Sequence, residues 1–338
     1  MKYLLFGGVW DRALALILIA LFAGFCVLTP GFYNGFQGTL SITEEFLPFG
    51  FVALGLSVVI LTGGIDLSVG SISGLAAVVM AILVKSYGLN IWAAVVIAVA
   101  VGGTLGWLNG LIITRLRVEP LIATLATNFI YSSVAVALAG ASPPYGFGAP
   151  FGVLGTGALA GWVPVQLLIF VGMAIGFSVL MTRTGFGRRI VMIGYNRDAA
   201  LYAGVSVAAV ERRAYAISGL TAAFAGIILA SYYDAVRPDM GDILLLTSIT
   251  MVVLGGISIF GGEGGILGVT LAVMILGVLR QGMLITGFSD MVTTMLTGAI
   301  LLASIAIKNL FSSRGSDLGS VVRRIIAMRR PAEAVSKS

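Results

Sequence analysis

Polar residues interrupt this chain rarely, and the intervals between them are long. Apolar runs fill Ala13 to Leu28, Phe46 to Leu61, Leu67 to Val84, Ile91 to Ile113 and Leu121 to Gly140. Further runs fill Val163 to Met181, Ala214 to Tyr233, Ile243 to Phe260, Gly265 to Leu279 and Met291 to Ile307. None alternates with period two, so they read as helices rather than strands. A perpendicular membrane span needs about 20 apolar residues. Several runs fall short of that, which predicts tilted or broken spans. The pattern predicts an all-α integral membrane protein with about ten transmembrane helices, some of them broken or interrupted by glycine.

One break carries a carboxylate. Thr62-Gly63-Gly64-Ile65-Asp66-Leu67-Ser68-Val69-Gly70 joins two uncharged runs. The glycine pair disfavours helix. Asp66 and Ser68 have side chains that bond the free backbone donors opening a helix. An ionisable residue between two spans is a functional candidate. The capping role ranks above direct solute contact. A second stretch, Val252 to Gly262, repeats the first in outline. Gly255-Gly256-Ile257 answers Gly63-Gly64-Ile65, and Gly262 answers Gly70. Interrupted spans at matching places in two halves point to a transport site, although glycine pairs also serve close helix packing.

Composition agrees. Of 338 residues, 59% are hydrophobic and only 10% charged, with a mean hydropathy of +1.07, which excludes a soluble globular domain. There is no His and one Cys, Cys26. That removes histidine catalysis, histidine metal sites and intrachain disulfides. Cys26 reads as a small buried apolar residue. The run after Lys2 and Arg12 ends in Thr29-Pro30-Gly31 without a small-residue cleavage site, which predicts an uncleaved first span.

A net charge of +6 and a pI near 9.6 raise the question of nucleic acid, and the placement of the charge answers it. With the N-terminus inside, every one of the 20 basic residues except Lys85, Arg237 and Arg280 falls on the inner side. This asymmetry predicts both termini in the cytoplasm and needs no nucleic-acid partner. Residues 1–310 form the predicted transmembrane permease domain, with a cytoplasmic loop over 182–213. Residues 311–338 form a basic cytoplasmic tail, in which Leu318 to Arg330 suits a membrane-surface helix.

The longest outer loops are Gly31 to Glu45 and Ala141 to Trp162. The second is rich in Gly, Pro and aromatic residues and is expected to lack helix. The long inner loop predicts a short exposed helix, with Asn196 as N-cap, Asp198 in its first turn and Gly204 ending it. Such a helix either docks a soluble partner or lies on the lipid headgroups.

The chain has no Gly-x-x-x-x-Gly-Lys-Ser/Thr loop, so it is not itself a P-loop ATPase. It has no paired carboxylates within a span and no buried acidic or histidine relay of the kind a proton-coupled carrier needs. The economy of charge suits a neutral solute and an external energy source. Asp66, Ser68, Asn109, Asn128 and Gln281 are the candidates for a solute path or gate, and for the last three helix-packing hydrogen bonds rank first. Asp234, Arg237, Asp239 and Asp242 are the candidate contacts for a soluble protein outside. Glu263 is a further candidate on the inner face. A self-sufficient secondary carrier or channel is the rival class.

Several of these motifs occur together in one family. Thr62 to Gly70, Asn109-Gly110, Val118-Glu119-Pro120-Leu121-Ile122-Ala123-Thr124-Leu125, Gly187-Arg188 with Gly194-Tyr195-Asn196, Thr250 to Gly256, and Gly261-Gly262 follow in order. From about Phe46 to Lys308 the sequence resembles the membrane-spanning permease of bacterial ABC sugar importers of the ribose type. The resemblance implies a permease pair in the inner membrane (two copies or two paralogues), two cytoplasmic ATPases holding ATP and Mg, and a periplasmic sugar-binding protein. This chain itself would hold no cofactor and catalyse no reaction. The family's coupling helix falls on Asn196 to Gly204, and Gly194, Asn196, Arg197, Asp198, Ala199, Ala200, Leu201, Tyr202 and Gly204 are the implied ATPase-coupling residues. Asp198-Ala199-Ala200 keeps the family pattern, whereas Tyr202-Ala203-Gly204-Val205 departs from its usual Ser-Gly-Ile end. Ser231 to Tyr233, Arg237, Asp239 and Thr250 to Ile259 are similar to permeases for ribose, rhamnose and a furanosyl autoinducer, so the solute stays open within that group.

Overall fold

The computed structural model describes residues 8–29, 32–33, 39–140, 144–289, 291–296 and 298–300. The tail beyond residue 300, with its predicted surface helix, lies outside the described residues, as do Lys2, Ser142 and Pro143.

Helix α1 (Val9–Leu28) leads to a 3-10 turn (Ile42–Glu45) and α2 (Leu47–Leu61). There follow α3 (Val69–Lys85), α4 (Ile91–Leu116) and α5 (Pro120–Ala139). A short α6 (Ala149–Thr156) and a small hairpin, β1 (Ala158–Leu159) with β2 (Val163–Pro164), precede α7 (Val165–Arg183). Then come α8 (Gly185–Tyr195), α9 (Arg197–Tyr202) and α10 (Val207–Tyr233). Among the described residues the last named helices are α11 (Leu244–Leu254) and α12 (Ile266–Ile285).

Six of these are long and apolar enough to cross a membrane: α1, α4, α5, α7, α10 and α12. Counting the pair bent by 57° at the start of α2 gives seven. The expected count of about ten is therefore met in length only in part. Helix α3 and above all α11 are shorter apolar helices. The predicted eighth span, Ile243 to Phe260, is helical only as far as Leu254, because Gly255 and Gly256 end it.

Helix α2 is apolar on every side and every one of its residues is buried. A helix without a polar face belongs at the centre of a bundle. Helix α10 packs beside it, in contact with α2, α3 and α4. The α4–α10 contact is close because Gly102, Gly106 and Gly110 recur at every fourth position of α4. A Cβ at Gly106 would lie 2.2 Å from the Tyr215 carbonyl oxygen. Small residues at this spacing let helix backbones approach in lipid, where apolar burial gives no drive for association.

The Ala141 to Trp162 loop is not free of helix. Pro150 opens α6, which buries Phe151. The Ser231 hydroxyl donates to the Phe151 carbonyl, and the Gln166 amide donates to that of Gly155. Local glycine content predicted a loop, but tertiary hydrogen bonds and the burial of Phe151 outweigh it.

Candidate functional site

The chain end at which α3 and α5 finish is closed by pairing between loops. Tyr145 bridges Ala235, and the Val236 N–H donates to the Pro144 carbonyl. Lys85 Nζ donates to the Gly146 carbonyl and lies over the Phe147 ring at 5.1 Å. Asp234 belongs to this closure: its Oδ1 accepts from the Phe147 N–H at 2.9 Å. It thus ties two loops together, while the residue itself stays exposed. Arg237 and Asp239 differ. They pair with each other, both largely exposed, and the Arg237 hydrogen bond holds the Asp239 carboxyl below its ordinary range.

Inside the bundle the turn after α2 builds a polar knot. Asp66 is fully buried. Its Oδ1 accepts from the Ser68 N–H (3.1 Å) and hydroxyl (2.6 Å), and its Oδ2 accepts from the Ser218 hydroxyl of α10 (2.8 Å). The Asn109 amide of α4 donates to the Ser68 hydroxyl at 2.7 Å, and the Tyr131 hydroxyl of α5 donates to Asn109 Oδ1 at 3.0 Å. Beside it, the Thr124 hydroxyl accepts from the Leu67 N–H. Four elements meet here. Asp66 turns its own backbone through Ser68 and reaches a second helix. Ser68 makes no capping bond to α3, because its hydroxyl donates to Asp66. Asp66 instead bonds the Ser68 N–H at the start of α3. Asn109 falls in the same knot and acts in packing. So does Gln281 elsewhere, whose amide donates to the Glu45 carboxylate.

The end of the bundle opposite the loop closure holds a junction of backbones. Helix α2 ends with the Gly63 N–H on the Ile60 carbonyl and the Gly64 N–H on that of Val59. Helix α11 ends alike, with the Gly256 N–H on Val253 and the Ile257 N–H on Val252. Both are Schellman turns with glycine in the left-handed position, at φ +85° for Gly63 and +91° for Gly256. The equivalence is thus Gly63 with Gly256, one residue off the sequence pairing of the two Gly-Gly-Ile triplets. The first turn is joined to the loop that follows the second, since the Gly262 N–H donates to the Leu61 carbonyl at 3.0 Å. Gly194 of α8 lies against both: a Cβ there would be 2.1 Å from the Leu61 carbonyl oxygen and 2.3 Å from the Gly262 nitrogen.

Two residues beyond Gly194 the chain enters α9. Asn196 caps it by accepting from the Ala199 N–H at 2.9 Å, and Gly204 follows its end with φ +78°. Arg197 pairs with Glu211 at the start of α10 at 3.1 Å, with both nitrogens of its fork engaged. Ala200 is completely buried against the bundle, while Leu201 is 57% and Tyr202 90% exposed. Asp198 and Ala199 are exposed as well. The loop over 182–213 is therefore two helices. The first, α8, escaped sequence reading because it is short and carries Gly185, Gly187 and Gly194; it buries Ile190 and Ile193 on one face and exposes Arg188 and Arg189 on the other.

The remaining candidates also meet. Asn128 and Asp242, assigned to different roles by sequence, line one cavity together with Gly70, Phe129, Ser132 and Leu245. Ser132 had no distinguishing signal in the sequence.

A bundle of long apolar helices with two more ended early by glycine, and with a seated helix projecting from one end, is the architecture of a multi-pass membrane permease. The chain belongs to the family described as branched-chain amino acid transport system / permease component, whose profile matches residues 38–305. It is similar to the autoinducer 2 import system permease protein LsrD of Photorhabdus temperata, at 34% identity over 321 residues covering 93% of this chain and 96% of that protein. The protein of the same description from Yersinia enterocolitica is 36% identical over 87% of this chain and 89% of its own length. That of Escherichia coli K12 is 34% identical over 87% and 90%. No solved structure matches the chain significantly. With these relatives the resemblance to ribose-type ABC importer permeases holds across most of the chain.

Proposed function

We propose that this chain is the permease subunit of an ATP-driven importer, which moves a small neutral polar solute from periplasm to cytoplasm by alternating access. The observation that carries this reading is the continuity of α9 with the glycine junction. A partner that grips the exposed Leu201 and Tyr202 pulls on a helix only two residues from Gly194, and Gly194 touches the end of α2 and the loop that follows α11. Rigid displacement of α9 would therefore act on α2 and α11 together, as a shift between two packed arrangements requires. Arg115, Arg117, Arg183, Arg188 and Arg189 lie at the α9 end, which supports a cytoplasmic placement for it and for an ATPase partner holding ATP and Mg. Arg237 and Asp239, exposed in the loop that leaves the opposite closure, then face the periplasmic side and a soluble binding protein. A second permease, identical or paralogous, completes the pathway. The three relatives are autoinducer 2 import permeases by description, which favours a solute of that kind.

Purification of this chain from native membranes in mild detergent tests the reading. Recovery with an ATPase subunit, and solute uptake by the reconstituted complex only with ATP, is the expected result. Uptake by the chain alone on an ion gradient overturns it in favour of a secondary carrier.

A further inference from the structure

We propose that the cavity lined by Gly70, Asn128, Phe129, Ser132, Asp242 and Leu245 is a binding site for a neutral polyhydroxylated solute. The inference rests on the importer reading and assigns a place and a chemistry to its substrate.

The cavity is a cleft open on one side, where Asp242 and Phe129 reach the surface, and it lies away from the ends of the bundle. The loop before α11 does not stay at the end of the bundle but runs along the first turns of α3. A Cβ at Gly74 would fall 2.1 Å from the Pro238 carbonyl oxygen, and one at Gly241 would fall 2.0 Å from that of Gly70. This descent carries Asp242 to the level of Gly70, two residues past Ser68 and the polar knot. It also explains why α11 is only 11 residues long.

The lining is suited to hydroxyl groups. Asn128 and Ser132 stand one turn apart on α5, so both can reach one ligand. The neighbouring polar groups of α5 are engaged within the chain: Thr124 with the carbonyls of Ile65 and Pro120, Thr127 with that of Thr124, and Tyr131 with Asn109. Asn128 and Ser132, half-buried at the edge of that stripe, have no such partner among the described residues. An amide offers donors and an acceptor, a hydroxyl both, and the Asp242 carboxylate two acceptor oxygens for adjacent hydroxyls. Phe129 and Leu245 supply apolar surface for the carbon frame. No cation lines the cavity, so neither an anion nor the carboxylate of an amino acid is matched. The volume of about 280 Å³ leaves room for a ligand the size of a monosaccharide, just below the roughly 300–1,000 Å³ of typical small-molecule pockets.

The test uses the complete complex in proteoliposomes, in a Cys26→Ala background with single cysteines at Asn128→Cys, Ser132→Cys and the outward-facing Ile130→Cys. A charged, water-soluble methanethiosulfonate should react at least tenfold faster at the first two than at the third. Millimolar D-ribose, L-rhamnose or autoinducer 2 should slow the reaction at Asn128→Cys at least fivefold, and L-leucine should not. In parallel, Asn128→Ala and Ser132→Ala should raise the half-saturating solute concentration about threefold to tenfold, as the loss of one hydrogen bond does. Reaction no faster than at Ile130→Cys, absence of protection by all three polyols, or protection by L-leucine instead overturns the assignment. ATP-driven uptake without protection overturns the site alone, and protection with ion-driven uptake overturns the importer reading alone.

Discussion

Gly63 and Gly256 hold the same place in two helix-ending turns, each with a left-handed backbone and each donating its N–H to the carbonyl three residues back. Alanine at a left-handed position costs about 1–2 kcal/mol. A Cβ at Gly256 would also meet the Trp10 ring at 2.9 Å. Gly63→Ala and Gly256→Ala should each lower the melting temperature of the complex in detergent. Gly265→Ala, with nothing within 4 Å, should not. Equal melting of all three variants would refute the equivalence.

Gly194 sits where the α2 turn meets the α11–α12 loop, so Gly194→Ala separates the α9 support from both. Its Cβ overlaps backbone on both sides, and packed backbone yields poorly, at about 1–3 kcal/mol. We expect ATP hydrolysis by the complex to persist while uptake falls at least tenfold. Gly185→Ala, whose nearest neighbour is a flexible arginine tip at 3.8 Å, is the control. Full uptake by Gly194→Ala would remove the junction from the coupling route.

On α9 itself, buried and exposed residues should separate. Leu201→Ala and Tyr202→Ala leave the seat of the helix intact, and a partner that uses them as anchors loses more than about 1 kcal/mol for each. ATPase recovered with the permease should drop about fivefold or more at unchanged melting temperature. Ala200→Leu overpacks the seat and should lower both. Gly204→Trp strains a left-handed position and should uncouple uptake from hydrolysis. Undiminished ATPase recovery with Tyr202→Ala and Leu201→Ala combined would place the docking surface elsewhere.

Asp66 accepts three hydrogen bonds in a fully buried site. Asp66→Ala strands the Ser218 and Ser68 donors and should cost about 3 kcal/mol or more, since a bond to a charged group is worth roughly 1.5–3 kcal/mol. Ser218→Ala removes one bond and should cost less. Thermal melting in detergent gives the order. A changed solute preference with unchanged melting would make Asp66 a solute contact instead of a structural one.

Much of this was legible along the chain. Asn196, Asp198 and Gly204 are local signals, because a cap, a first-turn acid and a left-handed stop act within a few residues. Hence α9 was placed to within a residue at either end. The two glycine turns were visible for the same reason, although their register was off by one: the letters align Gly63 with Gly255, while hydrogen bonding aligns it with Gly256. Helix α6 was missed because Phe151 is held by Ser231 and its neighbours, far away in the chain. Asp234 and Asp242, eight residues apart, looked alike in sequence, yet one ties two loops together and the other lines a cavity.

The sequence by itself determined a helical membrane protein, its early helix ends and its short projecting helix. Each follows from hydropathy, from glycine and from capping chemistry, all of them local. Only the tertiary structure decided that Asp66 would meet Ser218, that Gly194 would touch both Leu61 and Gly262, and that Asn128 would share a cavity with Asp242. Those pairings depend on how closely helix backbones approach and how far a loop descends between them. Both are set by small residues on separate helices at once, which no single stretch of chain records.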